Sequence, residues 1–81
     1  MRVTIRLFAR LRDLAGSGEI VRDVEPPATV QTLWRALVAD FPAIAEYERS
    51  MSVAVNADYS RMSASLHDGD EVAFLPPVSG G

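Results

Sequence analysis

One stretch of this chain carries a long helical pattern, and it lies near the middle. Val30, Leu33, Trp34, Leu37, Val38 and Phe41 recur at the three- and four-residue spacing that lines up one face of a helix. Thr29 precedes them as an N-cap, and Pro42 ends the segment or begins a turn, because proline disfavours helical geometry in the residue before it. A single apolar helix face has to be covered by a second layer, and the flanking segments supply one. Val3, Ile5 and Leu7 alternate with Arg2, Thr4 and Arg6, while Met51, Val53 and Val55 alternate with Ser52, Ala54 and Asn56, both with the period of half-buried strands. Residues 20–24, ended by Pro26-Pro27, and residues 71–75, closed by Pro76-Pro77, read as two further strands. The pattern leaves the register of residues 20–24 open. These features predict an α+β fold, one main helix packed on one face of a small mixed sheet.

Smaller signals punctuate that frame. Leu11, Leu14 and Ala15 fall at helical spacing within residues 9–15, and Gly16 stands where a left-handed cap would stop a short helix. Asn56-Ala57-Asp58 and Asp68-Gly69-Asp70 read as turns. Residues 43–50 and 60–66 have no pattern strong enough to assign. In the last strand Val72 and Phe74 share the face assigned to the core, and Ala73 and Leu75 take the other. Trp34, at a helical core spacing, reads as packing.

Composition narrows the chemistry. The 81 residues are 48% apolar and 23% charged, the balance of one globular domain. Net charge is −3, with five Arg against two acids in residues 1–22 and three Arg against nine acids in the rest. An acidic chain with no basic run predicts no nucleic-acid binding. There is no Cys, hence no disulfide and no thiolate, and all eight cations are Arg with no Lys. One histidine, His67, cannot make a structural zinc site, and Asp68, Asp70 and Glu71 lack the spacing of a calcium loop, so no metal is expected. Gly16-Ser17-Gly18 falls short of a dinucleotide fingerprint, and His67 beside Asp68 has no nucleophile elbow to serve. The apolar runs are far shorter than the ~20 residues of a membrane span, so no membrane association and a cytoplasmic location are expected.

The chain ends Pro76-Pro77-Val78-Ser79-Gly80-Gly81. Two prolines remove two ladder donors and favour an extended stem, which predicts a folded body over residues 1–75 and a flexible tail over 76–81. Fully extended, that tail reaches about 20 Å. Gly80 and Gly81 carry no side chains and can pass a narrow channel. A terminal carboxylate, with a pKa near ~3.5, is a poor electrophile at neutral pH, so chemistry at this end needs prior activation, for example as an acyl-adenylate.

The segment from Asp68 to Gly81, DGDEVAFLPPVSGG, closely resembles the C-terminal signature of the MoaD family, the small sulfur-carrier subunit of molybdopterin synthase. Residues 8–16 resemble that family's first strand-to-helix segment, and Val53-Ala54-Val55-Asn56 its central strand and turn. The resemblance implies a β-grasp, ubiquitin-like fold. It also implies that an E1-like adenylyltransferase activates the terminal glycine with ATP and Mg, and that a sulfur donor protein converts it to a thiocarboxylate. The tail would then enter the large subunit of a heterotetrameric synthase, where sulfur passes to cyclic pyranopterin monophosphate in molybdenum cofactor biosynthesis. The carrier alone would have no activity and would bind no cofactor. By position, Gly81 bears the thiocarboxylate, Gly80 allows passage, and Pro76, Pro77, Val78 and Ser79 form the inserted stem. Phe8, Arg12, Phe74 and Leu75 lie in segments that resemble the partner-contacting surface.

Three other readings stay open at the level of sequence. The chain could be a ubiquitin-like protein modifier, although without lysine it cannot build isopeptide-linked polymers on itself. It could carry sulfur for another pathway, such as thiamin thiazole or cysteine. It could be a non-catalytic β-grasp interaction module whose Gly-Gly is a frayed end.

Overall fold

A computed structural model describes residues 1–77. Five strands form one sheet: β1 (Arg2–Leu7), β2 (Glu19–Asp23), β3 (Ser52–Val55), β4 (Asp58–Ser60) and β5 (Glu71–Leu75). Two α-helices, α1 (Ala9–Ala15) and α2 (Val30–Asp40), and a 3-10 helix (Pro42–Tyr47) complete the body. The strand order is β2-β1-β5-β3-β4. β1 and β5 are parallel, and every other pairing is antiparallel. A parallel pair needs a crossover between its strands, and α2 lies in that connection.

Register puts the apolar sets together. Ile5 lies beside Val72, Leu7 beside Phe74, and Val53 on the other side of Phe74. Their shared face meets Val30, Leu33, Trp34 and Leu37 of α2, all wholly buried, as the helical spacing predicts. Trp34 and Phe74 are the largest buried side chains, with ring centroids 5.0 Å apart at a tilt of 47°. The indole N–H donates to Glu48 Oε1 at 2.9 Å, which satisfies the one polar atom the ring carries inward. Thr29 caps α2 reciprocally with Thr32, each side-chain oxygen accepting from the other's backbone N–H.

The short helix also follows its sequence signals. Gly16 holds φ at +78°, and its N–H donates to Arg12 O at 2.9 Å. β2 occupies residues 19–23, one residue earlier than its apolar run suggests, and directs Ile20 and Arg22 inward. Two elements have no counterpart in the sequence reading. β4 is three residues long with Tyr59 82% exposed, so it carries no alternation to detect. It pairs with β3 across a two-residue turn in which Asn56 and Ala57 both have positive φ, the geometry of a tight hairpin. The 3-10 helix buries only Ile44 and so shows no periodicity.

The turn before β5 is fixed by a buried carboxylate. Asp70, 9% exposed, accepts from Asn56 Nδ2 at 2.9 Å and from the His67 backbone N–H at 2.8 Å. Asn56 Oδ1 in turn accepts from the Glu71 N–H at 2.9 Å, which ties the β3–β4 turn to the start of β5. The Asn56 hydrogen bond, then the His67 backbone bond, holds the Asp70 carboxyl below its ordinary value of 3.8 despite burial. A carboxyl whose folded value is lowered contributes stability that is complete above the unfolded value and is lost as pH falls through the folded one. Asp70→Ala should therefore cost about 1–3 kcal/mol at neutral pH and flatten the acid limb of the stability curve, measured by urea unfolding between neutral pH and pH 3. An unchanged acid limb would assign that limb to other groups.

Candidate functional site

β5 leaves the sheet at Leu75 because Pro76 and Pro77 have no N–H with which to continue the ladder. β1 runs parallel to it, so Phe8, the residue after β1, emerges at the same end of the sheet. Phe8 has extended backbone and Ala9 a φ of +51°, a left-handed conformation that costs an alanine about 1 kcal/mol. This abrupt corner turns β1 into α1 and leaves Phe8 40% exposed beside the exit of the tail.

The result is a groove of about 650 Å³ lined by Phe8, Ala9 and Arg10 on one side, Leu75, Pro76 and Pro77 on the other, and Tyr47 from the 3-10 helix. Its walls are mostly apolar, and among the described residues Arg10 supplies the one charged group. Among the described residues its lining holds no carboxylate, imidazole or thiol, and what it presents is an apolar contact surface. Among the described residues no group of three His, Cys, Asp or Glu side chains could hold a metal ion. No helix among them is long and apolar enough to cross a membrane.

Of the residues singled out in the sequence, the structure brings Phe8, Leu75, Pro76 and Pro77 into this groove. Phe74, expected at the partner surface by resemblance, is wholly buried against Trp34 on the face that the alternation of β5 assigns to the core, and Leu75 on the opposite face is half-buried. Arg12 lies exposed on α1, outside the groove, and its side chain crosses Gly18, where an added Cβ would stand 3.3 Å from Arg12 Cδ and Nε. Val78, Ser79, Gly80 and Gly81 lie outside the described residues. The sequence reading missed Ala9, Arg10 and Tyr47. Arg10 sits within the segment quoted for the resemblance, but Tyr47 belongs to the stretch without periodicity, and no local pattern links it to Phe8.

A mixed five-stranded sheet wrapped on one principal helix, with the central strand β5 running out into the terminal tail, is a β-grasp, ubiquitin-like domain. The chain matches the ThiS family over residues 5–81 and belongs to it. It is 34% identical over 79 residues to the molybdopterin synthase sulfur carrier subunit of Arabidopsis thaliana, across 98% of this chain and 82% of that protein. The crystal structure of small archaeal modifier protein 1 (SAMP1) from Haloferax volcanii superposes with a TM-score of 0.87 at 33% identity, covering 100% of both chains. A chain in the Amycolatopsis orientalis BexX/CysO complex superposes at 0.74 with 26% identity, covering 98% of this chain and 99% of that one. The expected family and fold are therefore those found.

The two neighbouring residues of β5 should separate core from surface. Phe74→Ala is expected to lower stability by about 3–5 kcal/mol. Leu75→Asp should change it by less than about 1 kcal/mol. Chemical denaturation followed by the fluorescence of Trp34 measures both, and a comparable loss in both variants would contradict the division.

Proposed function

We propose that this chain is the sulfur carrier of a molybdopterin synthase, with the Gly81 carboxyl as the group that carries sulfur. The observation that carries this reading is the apolar groove at the base of the Pro-Pro stem, in a chain whose family match runs through to Gly81. An E1-like adenylyltransferase, using ATP and Mg of its own, joins the carboxylate to AMP and releases pyrophosphate. A sulfur donor protein then delivers sulfur to the acyl carbon, AMP leaves with its bonding pair, and a thiocarboxylate remains. In the large subunit the sulfur passes to cyclic pyranopterin monophosphate. This chain contributes the stem that positions Gly81 and the surface of Phe8, Leu75, Pro76 and Pro77 that seats against the partner.

A second reading has a specific observation behind it. A protein named as a modifier, small archaeal modifier protein 1, matches this chain as fully as the named sulfur carriers do. Activated Gly81 would then acylate an amine of another protein in place of accepting sulfur.

The deciding measurement is the mass of the fragment from Asp70 to Gly81 after incubation with an E1-like enzyme, ATP and a sulfur donor. That fragment excludes Met1, Met51 and Met62, whose oxidation would mimic replacement of oxygen by sulfur. Sulfur on Gly81 is the expected result, and adducts to lysines of other proteins without it would favour the modifier. Extension by one residue beyond Gly81 should abolish sulfur transfer with the fold intact, because the activated atom moves by ~3.5 Å. Leu75→Asp should weaken binding to the large subunit about tenfold or more without unfolding the carrier, and unchanged affinity in a titration would remove Leu75 from the interface.

A further inference from the structure

An activated acyl group is attacked by the best nucleophile within reach, and the first candidates are on its own chain. These 81 residues contain no lysine and no cysteine. The nitrogen nucleophiles that remain are the amino group of Met1 and the imidazole of His67, and the sheet places both at the far end from the exit of the tail; the Tyr47 hydroxyl in the groove is a weaker nucleophile than an amine. β5 is parallel to β1 in a register that sets Thr4 beside Glu71 and Leu7 beside Phe74. Phe8 is therefore level with the exit of the tail, and Met1 lies seven residues back along β1, about 23 Å at ~3.3 Å per residue. His67 belongs to the turn whose Gly69 N–H donates to Arg2 O, at that same far end. The tail of residues 76–81 has a covalent length of about 20 Å and would have to double back fully even to approach them. The Met1 amine is also engaged, donating to Val24 O at 2.9 Å in a partly buried position.

The cation that does stand at the exit is an arginine. Arg10 lines the groove together with Pro76 and Pro77. A guanidinium in a protein keeps its proton and has no lone pair for acyl attack, whereas a lysine there would present an amine beside the stem.

We infer that this chain is a one-way acyl donor: the parallel β1–β5 pairing and an arginine at the tail exit leave an activated Gly81 no amine of its own to react with. The inference rests on the reading of Gly81 as the activated group. The excluded step would join an amine nitrogen to the Gly81 carbonyl carbon, break the bond to the leaving group, which departs with the electron pair, and release a proton from nitrogen. With that step closed, the acyl group survives until sulfur, a foreign amine or water arrives. Without lysine, the chain, if it is used as a modifier, offers no side-chain amine on which a further copy could be built.

The test uses the full chain with Gly81 converted chemically to an aryl thioester, so no activating enzyme or sulfur donor is involved. The outcome is thus separable from the fate of the proposed sulfur carriage. Wild type, Arg10→Lys and Arg2→Lys are incubated at mildly alkaline pH and followed by intact and peptide mass spectrometry. Wild type and Arg2→Lys, whose new amine lies at the far end, should return the carboxylate by hydrolysis alone. Arg10→Lys should lose its thioester about tenfold faster, giving an internal amide one water lighter than the hydrolysed chain, because a tethered amine acts at ~mM effective concentration. Amide at Met1, an ester at Tyr47 or covalent dimers of the wild type forming as fast as capture in Arg10→Lys would overturn the inference. So would capture by Arg2→Lys as fast as by Arg10→Lys, or no added capture in either.

Discussion

The parallel pairing of β1 with β5 is the constraint on which the rest of this small structure depends. Two adjacent strands running the same way cannot be joined by a hairpin, so the chain must cross over, and α2 makes that passage while covering the sheet. The same pairing places Val3, Ile5 and Leu7 alongside Val72 and Phe74 as one apolar surface for the helix. It also brings the end of β1 and the end of β5 out together, which is why Phe8 and Leu75, distant in sequence, form opposite sides of one groove. Core and candidate site are thus two consequences of a single register. A slip of one residue would exchange Phe74 for Leu75 and lose both.

The division of labour within β5 shows how little material separates folding from function. Phe74 fills the core against Trp34, and its neighbour Leu75 looks out beside the prolines. The ion pairs on the open face of the sheet, Arg2 with Asp23 and Arg6 with Glu19 and Glu71, are exposed and contribute little to stability. Apolar burial and the buried Asp70–Asn56 link carry more of it, and these lie away from the groove. The Ala9 corner is the exception, a strained backbone position next to the tail exit.

Much of this architecture is legible in the chain itself. The three- and four-residue spacing from Val30 to Phe41, the alternation of Val3, Ile5 and Leu7, and that of Val72 and Phe74 are each imposed by burial on one face, so each survives as a pattern. β4 and the 3-10 helix bury one residue or none and leave no such imprint. Asp70 illustrates a different limit: a turn sequence reports the turn, but not that its carboxylate will be buried by an asparagine fourteen residues earlier. The groove was half visible. Its prolines and Leu75 stand next to one another in sequence, while Tyr47 reaches it only through tertiary packing.

The central place of β5 has a mechanical meaning. It is bonded along one edge to β1 and along the other to β3, and the stem continues from its end. A force applied along that stem loads the bonds on both edges together, in shear, and none can yield first in the manner of a zipper. Drawing the stem through a tight passage therefore tends to drag the domain along as a rigid handle before the strand peels from its body.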